Sequence, residues 1–161
     1  MERRKFLSMT LGALALAVVP ASVKAEDFRK SKPAVWSTKN VFNGDKVTDQ
    51  GVMNAIKELY GSNNLTMEGI KLTAPDVASN GGAIPVNFST DKDIKSIAVF
   101  QNTNPECAVL IVEPTKYSVN KYSVKIKMGK SGSIFIVAQG TDGKLYGAKK
   151  TLDVALGGCE G

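Results

Sequence analysis

The sequence has 161 residues, of which 43% are hydrophobic and 22% are charged, a composition that fits one globular domain with an appendage and excludes a disordered chain. The net charge of +6 is only partly carried by the body of the protein, because Arg3, Arg4, Lys5 and Lys24 against Glu2 give the first 25 residues +3. No dense basic stripe interleaved with aromatic residues is present, which argues against nucleic-acid binding. The sequence contains no histidine and only two cysteines, which argues against zinc, haem and iron–sulfur sites and weakens any enzymatic hypothesis.

The first 25 residues have the three parts of an export signal. A basic start, Arg3-Arg4-Lys5, precedes a largely apolar stretch over residues 9–19, and small residues lead to a predicted cleavage after Ala25. The apolar stretch is shorter than the roughly 18–20 residues that span a bilayer. The Arg-Arg-x-Phe-Leu spacing is typical of a twin-arginine signal. The sequence therefore predicts a periplasmic protein, exported by the twin-arginine pathway and not bound to a membrane after cleavage.

Residues 26–64 are predicted to form an N-terminal segment with one amphipathic helix. Pro33 is expected to break any helix near the start of this segment. Residues 48–61 have helical spacing, with Thr48 as the expected N-cap and Gly61 as the left-handed C-terminal residue. The apolar face of this helix comprises Val52, Ile56, Leu59 and Tyr60.

Residues 65–156 are predicted to form an all-β fold, an immunoglobulin-like β-sandwich of about seven strands. Turn signals such as Asn80-Gly81-Gly82 separate short apolar or alternating runs. Pro85 removes a backbone donor, so its strand is expected at a sheet edge. The predicted strands cover residues 70–73, 83–89, 94–101, 107–113, 122–128, 133–139 and 145–156.

The last five residues, Gly157-Gly158-Cys159-Glu160-Gly161, are predicted to form a flexible C-terminal arm that carries a thiol. Cys107 begins an apolar strand, where a free cysteine behaves as a small buried hydrophobic residue. An exported protein with two cysteines commonly joins them in a disulfide, so both a Cys107–Cys159 bond and a free Cys159 stay open.

Four parts of the sequence resemble the SoxY family, the sulfur-carrier subunit of the periplasmic thiosulfate-oxidising Sox (SoxYZ) system. They are the C-terminal tail, the twin-arginine start, residues 74–81 and residues 142–150. The resemblance implies an immunoglobulin-like sandwich without catalytic activity or cofactor of its own. It also implies a heterodimer with a SoxZ-like partner and transient contacts with the SoxAX cytochrome, the SoxB hydrolase and, in some systems, SoxCD.

The resemblance further implies that sulfur intermediates are attached covalently to Cys159, while Gly157, Gly158 and Gly161 give the arm its flexibility. Glu160 departs from the family pattern, which has glycine there, and Cys107 is a thiol for which the pattern has no role. Glu160 and the terminal carboxylate disfavour a thiolate at Cys159, which predicts that the receiving enzymes activate it. The alternative function is an exported β-sandwich binding module with a structural Cys107–Cys159 disulfide.

Overall fold

A computed structural model describes residue 30 and residues 33–155 of the chain. The predicted signal peptide, residues 1–25, and the predicted arm, residues 157–161, lie outside the described residues. In chain order the described elements are α1 (Pro33–Ser37), β1 (Phe42–Asn43), β2 (Lys46–Val47), α2 (Gln50–Tyr60), β3 (Leu65–Thr66), β4 (Lys71–Thr73), β5 (Val77–Ala78), β6 (Ile84–Ser89), β7 (Ile94–Gln101), β8 (Ala108–Val112), β9 (Lys121–Ile126), β10 (Gly132–Gly140) and β11 (Leu145–Val154).

The strands form two packed sheets and one small hairpin. The larger sheet has the order β3-β11-β10-β7-β8, with β5 also paired to β11, and the smaller sheet has the order β4-β6-β9. Strands β3 and β5 run parallel to β11, whereas the other strand pairs are antiparallel. This arrangement confirms the predicted all-β sandwich with a helical extension.

Two apolar clusters lie on opposite faces of the larger sheet. Strand β10 lies between these clusters and is almost continuously apolar. Ile134 and Ile136 face the cluster between the two sheets, while Phe135 and Val137 face the cluster under α2. Because successive side chains of a strand point to opposite faces, a strand covered on both sides needs apolar residues at every position. The helix therefore buries the outer face of the larger sheet.

Helix α2 has the apolar face that its spacing predicts, and it ends where expected, at Gly61 with φ of +76°. Its beginning differs from the prediction, because Asp49 occupies the N-cap position and the Thr48 hydroxyl donates to the carbonyl oxygen of Val41. At Gly51 the helix lies so close to residues 39–41 that a β-carbon would stand 2.6 Å from the Asn40 Cα. Within residues 33–155, no helix is long and apolar enough to cross a membrane.

Both proline predictions were wrong, each for a local reason. Pro33 begins α1 instead of preventing a helix. The N–H groups of the first helical turn have no acceptor within the helix, so a proline there removes no helical hydrogen bond. Pro85 lies in β6, the central strand of the smaller sheet. It pairs with Lys125 of β9, but β4 ends opposite Asn87, so no described strand reaches Pro85 on its other side.

Candidate functional site

The C-terminal end of β11 positions the segment that carries Cys159. On one side Leu152 pairs with Gly132 of β10, and on the other side Val154 pairs with Ala78 of β5. The backbone N–H of Ala155 donates to the carbonyl oxygen of Ala78 at 3.0 Å. The strand is therefore held by β10 as far as Leu152 and by β5 as far as Ala155, which is the last described residue and lies four residues before Cys159. The predicted site residues Gly157, Gly158, Cys159 and Gly161 themselves lie outside the described residues.

The two lysines that are nearest to Cys159 in the sequence both form ion pairs. The Lys149 ammonium pairs with the Asp49 carboxylate, and the Lys150 ammonium pairs with the Asp76 carboxylate. The hydrogen bond and the charge of Lys150 hold the pKa of the Asp76 carboxyl below its usual range. The second Asp49 oxygen accepts a hydrogen bond from Asn102 Nδ2 at 2.8 Å, so this carboxylate has a partner on each oxygen.

A depression of about 430 Å³ lies along the last residues of β11 and the start of β10. Lys149, Thr151 and Asp153 contribute its wall from β11. The Thr151 and Ser133 hydroxyls are hydrogen-bonded to each other at 2.8 Å, which joins the two strands across this wall. The depression is therefore lined mostly by groups that already have protein partners, and it places polar surface beside the root of the C-terminal segment.

Cys107 lies just before β8 and is a free, fully buried thiol with 0% exposure. Its Sγ donates to the side-chain oxygen of Asn40 at 3.2 Å. Burial, with a smaller contribution from the Glu106 charge, raises the pKa of Cys107 to about 11. At neutral pH this thiol is protonated and covered, which matches the inert core residue that the sequence predicts.

The pocket around Cys107 is fixed by side-chain amides. Asn40 Nδ2 donates to the backbone oxygens of Gln101 and Asn104, at 3.0 and 2.8 Å. Gln101 Oε1 accepts from the N–H groups of Thr103 and Asn104, at 2.6 and 2.7 Å. A disulfide from Cys107 to any residue at the surface would require this hydrogen-bonded loop to open, because buried amides without partners are costly.

The structure brings together two stretches that sequence reasoning had connected only by resemblance. Residues 74–81 contain β5 and Asp76, and residues 142–150 contain the first six residues of β11, including Lys149 and Lys150. The Asp76–Lys150 pair joins the two stretches, and β5 pairs with Asp153 and Val154 directly after them, at the root of the C-terminal segment. Asp49 and Asp76 were not predicted as site residues, since residues 100 and 74 positions apart give no local signal of pairing.

Within residues 33–155, the side chains of histidine, cysteine, aspartate and glutamate form no group of three that could hold a metal ion. The polar groups near the end of β11 are hydroxyls, amides and charge-paired residues. These groups can hold a backbone segment in place.

Comparison with known proteins gives two consistent matches. Residues 56–159 match the family model described as sulfur oxidation protein SoxY. No curated protein matches the chain. Among solved structures, the chain is similar to the sulfur carrier protein SoxY from Chlorobium limicola f thiosulfatophilum, with 27% identity, a TM-score of 0.56, and coverage of 64% of this chain and 90% of that chain. A superoxide reductase (neelaredoxin) from Ignicoccus hospitalis is similar at 19% identity and a TM-score of 0.48, over 54% of this chain and 80% of that chain.

Proposed function

The chain belongs to the SoxY family, and we propose that it is a periplasmic sulfur carrier that binds sulfur intermediates covalently at Cys159. The family match ends at residue 159, so it includes both the sandwich and the predicted attachment cysteine. Similarity to a sulfur carrier of solved structure supports the same role. The observation that carries the proposal is the fixed end of β11, which holds the chain as far as Ala155, four residues before Cys159 in the sequence.

The proposed loading step is an oxidative coupling of thiosulfate to the thiol. The S–H bond of Cys159 breaks, and an S–S bond forms between its sulfur and the outer sulfur of thiosulfate. The product is a cysteine S-thiosulfonate, and one proton and two electrons are released. A c-type cytochrome of the SoxAX kind would accept those electrons. In the next step water attacks the terminal sulfonate sulfur, sulfate and protons are released, and a persulfide stays on Cys159.

The reach of the proposed carrier suits transfer between enzymes. From Ala155 to Cys159 an extended chain covers only about 13 Å, because each residue adds at most roughly 3.3–3.6 Å. The sulfur can therefore enter a narrow active-site channel while the sandwich stays at its mouth. Glycines at positions 157 and 158 add no side chain that would block such a channel.

Activation of the thiol is assigned to the receiving enzymes. Lys149 and Lys150 are already paired with Asp49 and Asp76, so they do not offer an unpaired cation to the thiol. Glu160 adds a negative charge next to Cys159. A neighbouring negative charge favours the neutral thiol, which protects the carrier from side reactions between enzymes.

The proposed partners follow from the family. They are a SoxZ-like subunit in a heterodimer and, transiently, the SoxAX cytochrome, the SoxB hydrolase and, where present, SoxCD. We also propose export through the twin-arginine pathway, based on Arg3-Arg4-Lys5-Phe6-Leu7, and function without a bound cofactor. Where SoxCD is present, it would remove six electrons from the outer persulfide sulfur and leave an S-sulfonate on Cys159. Hydrolysis of that S–S bond, a reaction of the SoxB type, would then release sulfate and regenerate the free thiol. Where SoxCD is absent, another acceptor would have to take the persulfide sulfur.

Peptide mass spectrometry tests the proposal. The mature protein is incubated with thiosulfate and a SoxAX-type cytochrome, digested without reductant, and the two cysteine peptides are weighed. We expect a thiosulfonate adduct on the Cys159 peptide and an unmodified Cys107 peptide. The carrier function would be contradicted if the Cys159→Ser variant formed as much thiosulfonate adduct as the wild-type protein. It would also be contradicted by a disulfide-linked pair of Cys107 and Cys159 peptides without any adduct.

The alternative of a binding module with a Cys107–Cys159 disulfide receives no support from the described residues. Cys107 is a free thiol, fully buried, and hydrogen-bonded to Asn40. A free-thiol titration of the unreduced protein separates the two functions. The carrier is expected to show one fast-reacting thiol when folded and a second thiol only after unfolding, whereas the disulfide-linked module would show none.

A further inference from the structure

The end of β11 is held by hydrogen bonds that continue beyond its ladder with β10, which ends at Leu152. The Asp153 N–H donates to the carbonyl oxygen of Asp76 at 2.9 Å. The Ala155 N–H donates to the carbonyl oxygen of Ala78 at 3.0 Å. Because N–H groups two residues apart point to the same side of a strand, both of these bonds lie on the side of β5.

The N–H group between them, that of Val154, points to the other side of β11. Strand β10 begins at Gly132, so its ladder does not extend to Val154. The hydroxyl of Ser131, directly before β10, accepts a hydrogen bond from the Val154 N–H at 2.9 Å instead. The Ser131 side chain thus extends the hydrogen bonding of β10 by one position, and the N–H groups of residues 153–155 all have protein acceptors.

The two chain segments that supply these acceptors, residues 76–81 and residues 128–131, are also joined to each other. The Met128 N–H donates to the carbonyl oxygen of Gly81 at 2.9 Å. Met128 is fully buried, so the turn that presents Ser131 is fixed in the sandwich. We call these two segments the collar, because they hold the end of β11 from both sides.

The collar is anchored by packing and by charge. The Ala78 side chain is 5% exposed and belongs to the apolar cluster between the two sheets, and Val154 packs against the same cluster. Asp76 contacts β11 twice, since its carbonyl oxygen accepts from Asp153 and its carboxylate pairs with Lys150. Both segments are therefore bound to the strand and to the core.

We propose that the collar sets the reach of the proposed carrier arm, and that Ser131 and Asp76 are positioning residues for sulfur transfer. The inference rests on the proposed function, because it concerns the thiol of Cys159. With Ala155 held, Cys159 lies four residues beyond the collar, which is about 13 Å at full extension. Release of residues 153–155 would add about 10 Å.

A fixed starting point matters because sulfur transfer needs the reacting atoms at a defined depth in the receiving enzyme. A misplacement of about 1 Å can lower a rate by about a hundredfold. Each residue of chain length changes the reach by roughly 3.5 Å. The collar therefore determines which depth of active site this carrier can serve.

Amide hydrogen exchange, followed by NMR, tests the collar without any enzyme. In the mature wild-type chain, we expect the N–H groups of residues 153–155 to exchange more slowly than in a free peptide of residues 150–161. The double variant Ser131→Ala with Asp76→Ala is expected to exchange the Ala155 N–H at least about fivefold faster, because each lost bond weakens the closed state by about that factor. No protection of Val154 and Ala155 in the wild-type chain would overturn the inference.

Two controls accompany these variants. Ser131→Thr keeps the hydroxyl, and we expect exchange at residues 153–155 to stay as in the wild-type chain. Asp91→Ala removes a carboxylate that pairs with Lys71 at 3.6 Å, outside the collar, and gives the same change of charge as Asp76→Ala. Faster exchange in either control, equal to that of the double variant, would contradict the assignment of Ser131 and Asp76.

A transfer assay tests the positioning role. Cys159 is loaded with tetrathionate: its sulfur forms an S–S bond with one half of the reagent, thiosulfate and a proton leave, and the S-thiosulfonate results. Sulfate release by a SoxB-type hydrolase is then measured against carrier concentration. Deletion of Gly157 withdraws the sulfur by roughly 3.5 Å and is expected to lower kcat/KM at least about tenfold.

The decisive comparison is made in the chain that lacks Gly157. There, Ser131→Ala with Asp76→Ala is expected to raise kcat/KM at least about fivefold, because the released residues restore the missing length. In the chain of natural length the reach is already sufficient, and no rise is expected. Ser131→Thr is expected to restore nothing. Substitutions that only destabilise the fold would lower kcat/KM in both chains, and that result would overturn the positioning role.

The two experiments separate the collar from the carrier function. A wild-type chain that accepts no sulfur at Cys159 would contradict the proposed function, whereas amide exchange at residues 153–155 decides the collar on its own. A carrier that is loaded and processed normally, but in which the double variant gives no rise after deletion of Gly157, would overturn only the inference about reach.

Discussion

The ammonium of Lys150 is paired with the carboxylate of Asp76, which lies in the turn before β5. The next strand residue towards the N-terminus, Lys149, points to the other face of β11 and pairs with Asp49 at the start of α2. Both faces of β11 are thereby tied to neighbouring elements near the root of the C-terminal segment. Both lysines are also engaged, which supports the proposal that another protein activates the Cys159 thiol.

This arrangement predicts an ordinary reactivity for Cys159 in the isolated protein. Near neutral pH, iodoacetamide is expected to modify Cys159 at about the rate measured for the free peptide Gly-Gly-Cys-Glu-Gly, because the folded domain supplies no extra activation. Lys150→Ala is expected to leave the rate unchanged. A rate in the folded protein more than about tenfold above that of the peptide would contradict this prediction.

A second prediction concerns stability at alkaline pH. Burial raises the pKa of Cys107 to about 11, from 9.0, and that of Tyr60 to about 12, from 10.0. Above about pH 9 the unfolded chain loses these protons before the folded protein does, so the free energy of unfolding falls as pH rises. Below pH 9 both groups are neutral in both states, and their contribution is constant.

Urea unfolding between pH 7 and about pH 11 measures this dependence. Cys107→Ala is expected to flatten the fall that begins near pH 9 and to leave the later part due to Tyr60. The comparison uses the slope with pH, not the absolute stability, because removing a buried thiol also changes packing. An unchanged slope between pH 9 and pH 11 in Cys107→Ala would show that Cys107 does not titrate as described.

A third prediction concerns the contact between α2 and the preceding segment. A β-carbon at position 51 would stand 2.6 Å from both the Asn40 Cα and the Lys39 oxygen, which are backbone atoms with little freedom to move. Gly51→Ala is expected to lower the free energy of unfolding by about 1–3 kcal/mol through overpacking. Gly129→Ala is the matched control, because the nearest atom there is 3.7 Å away. Equal effects of the two substitutions on the urea midpoint would contradict the close approach.

The sandwich was predictable because its information is local. Alternation in β9 and the apolar run of β10 identify a half-exposed and a doubly covered strand, and Gly61 marks the end of α2. The predictions for Pro33 and Pro85 were wrong because they also used only local information. A rule about one residue could not show that β4 stops opposite Asn87, which is what accommodates Pro85 inside a central strand.

The candidate site was predictable only where neighbouring residues in the sequence indicate it. The Gly-Gly-Cys tail is visible in the sequence, and the burial of Cys107 follows from its apolar neighbours. The partner of Cys107, Asn40, lies 67 positions away, and Asp76 lies 74 positions from Lys150. Such pairs depend on which strands meet and in which register, and composition or spacing along the chain does not contain that information.

The most direct test of the carrier function is thiosulfate-dependent cytochrome reduction by a reconstituted Sox system that contains the wild-type chain, Cys159→Ala or Cys107→Ala. Each variant is first shown by circular dichroism to be folded. The carrier function predicts that Cys159→Ala abolishes the reaction, while Cys107→Ala supports it at close to the wild-type rate. Full activity of Cys159→Ala would contradict the function proposed for this chain.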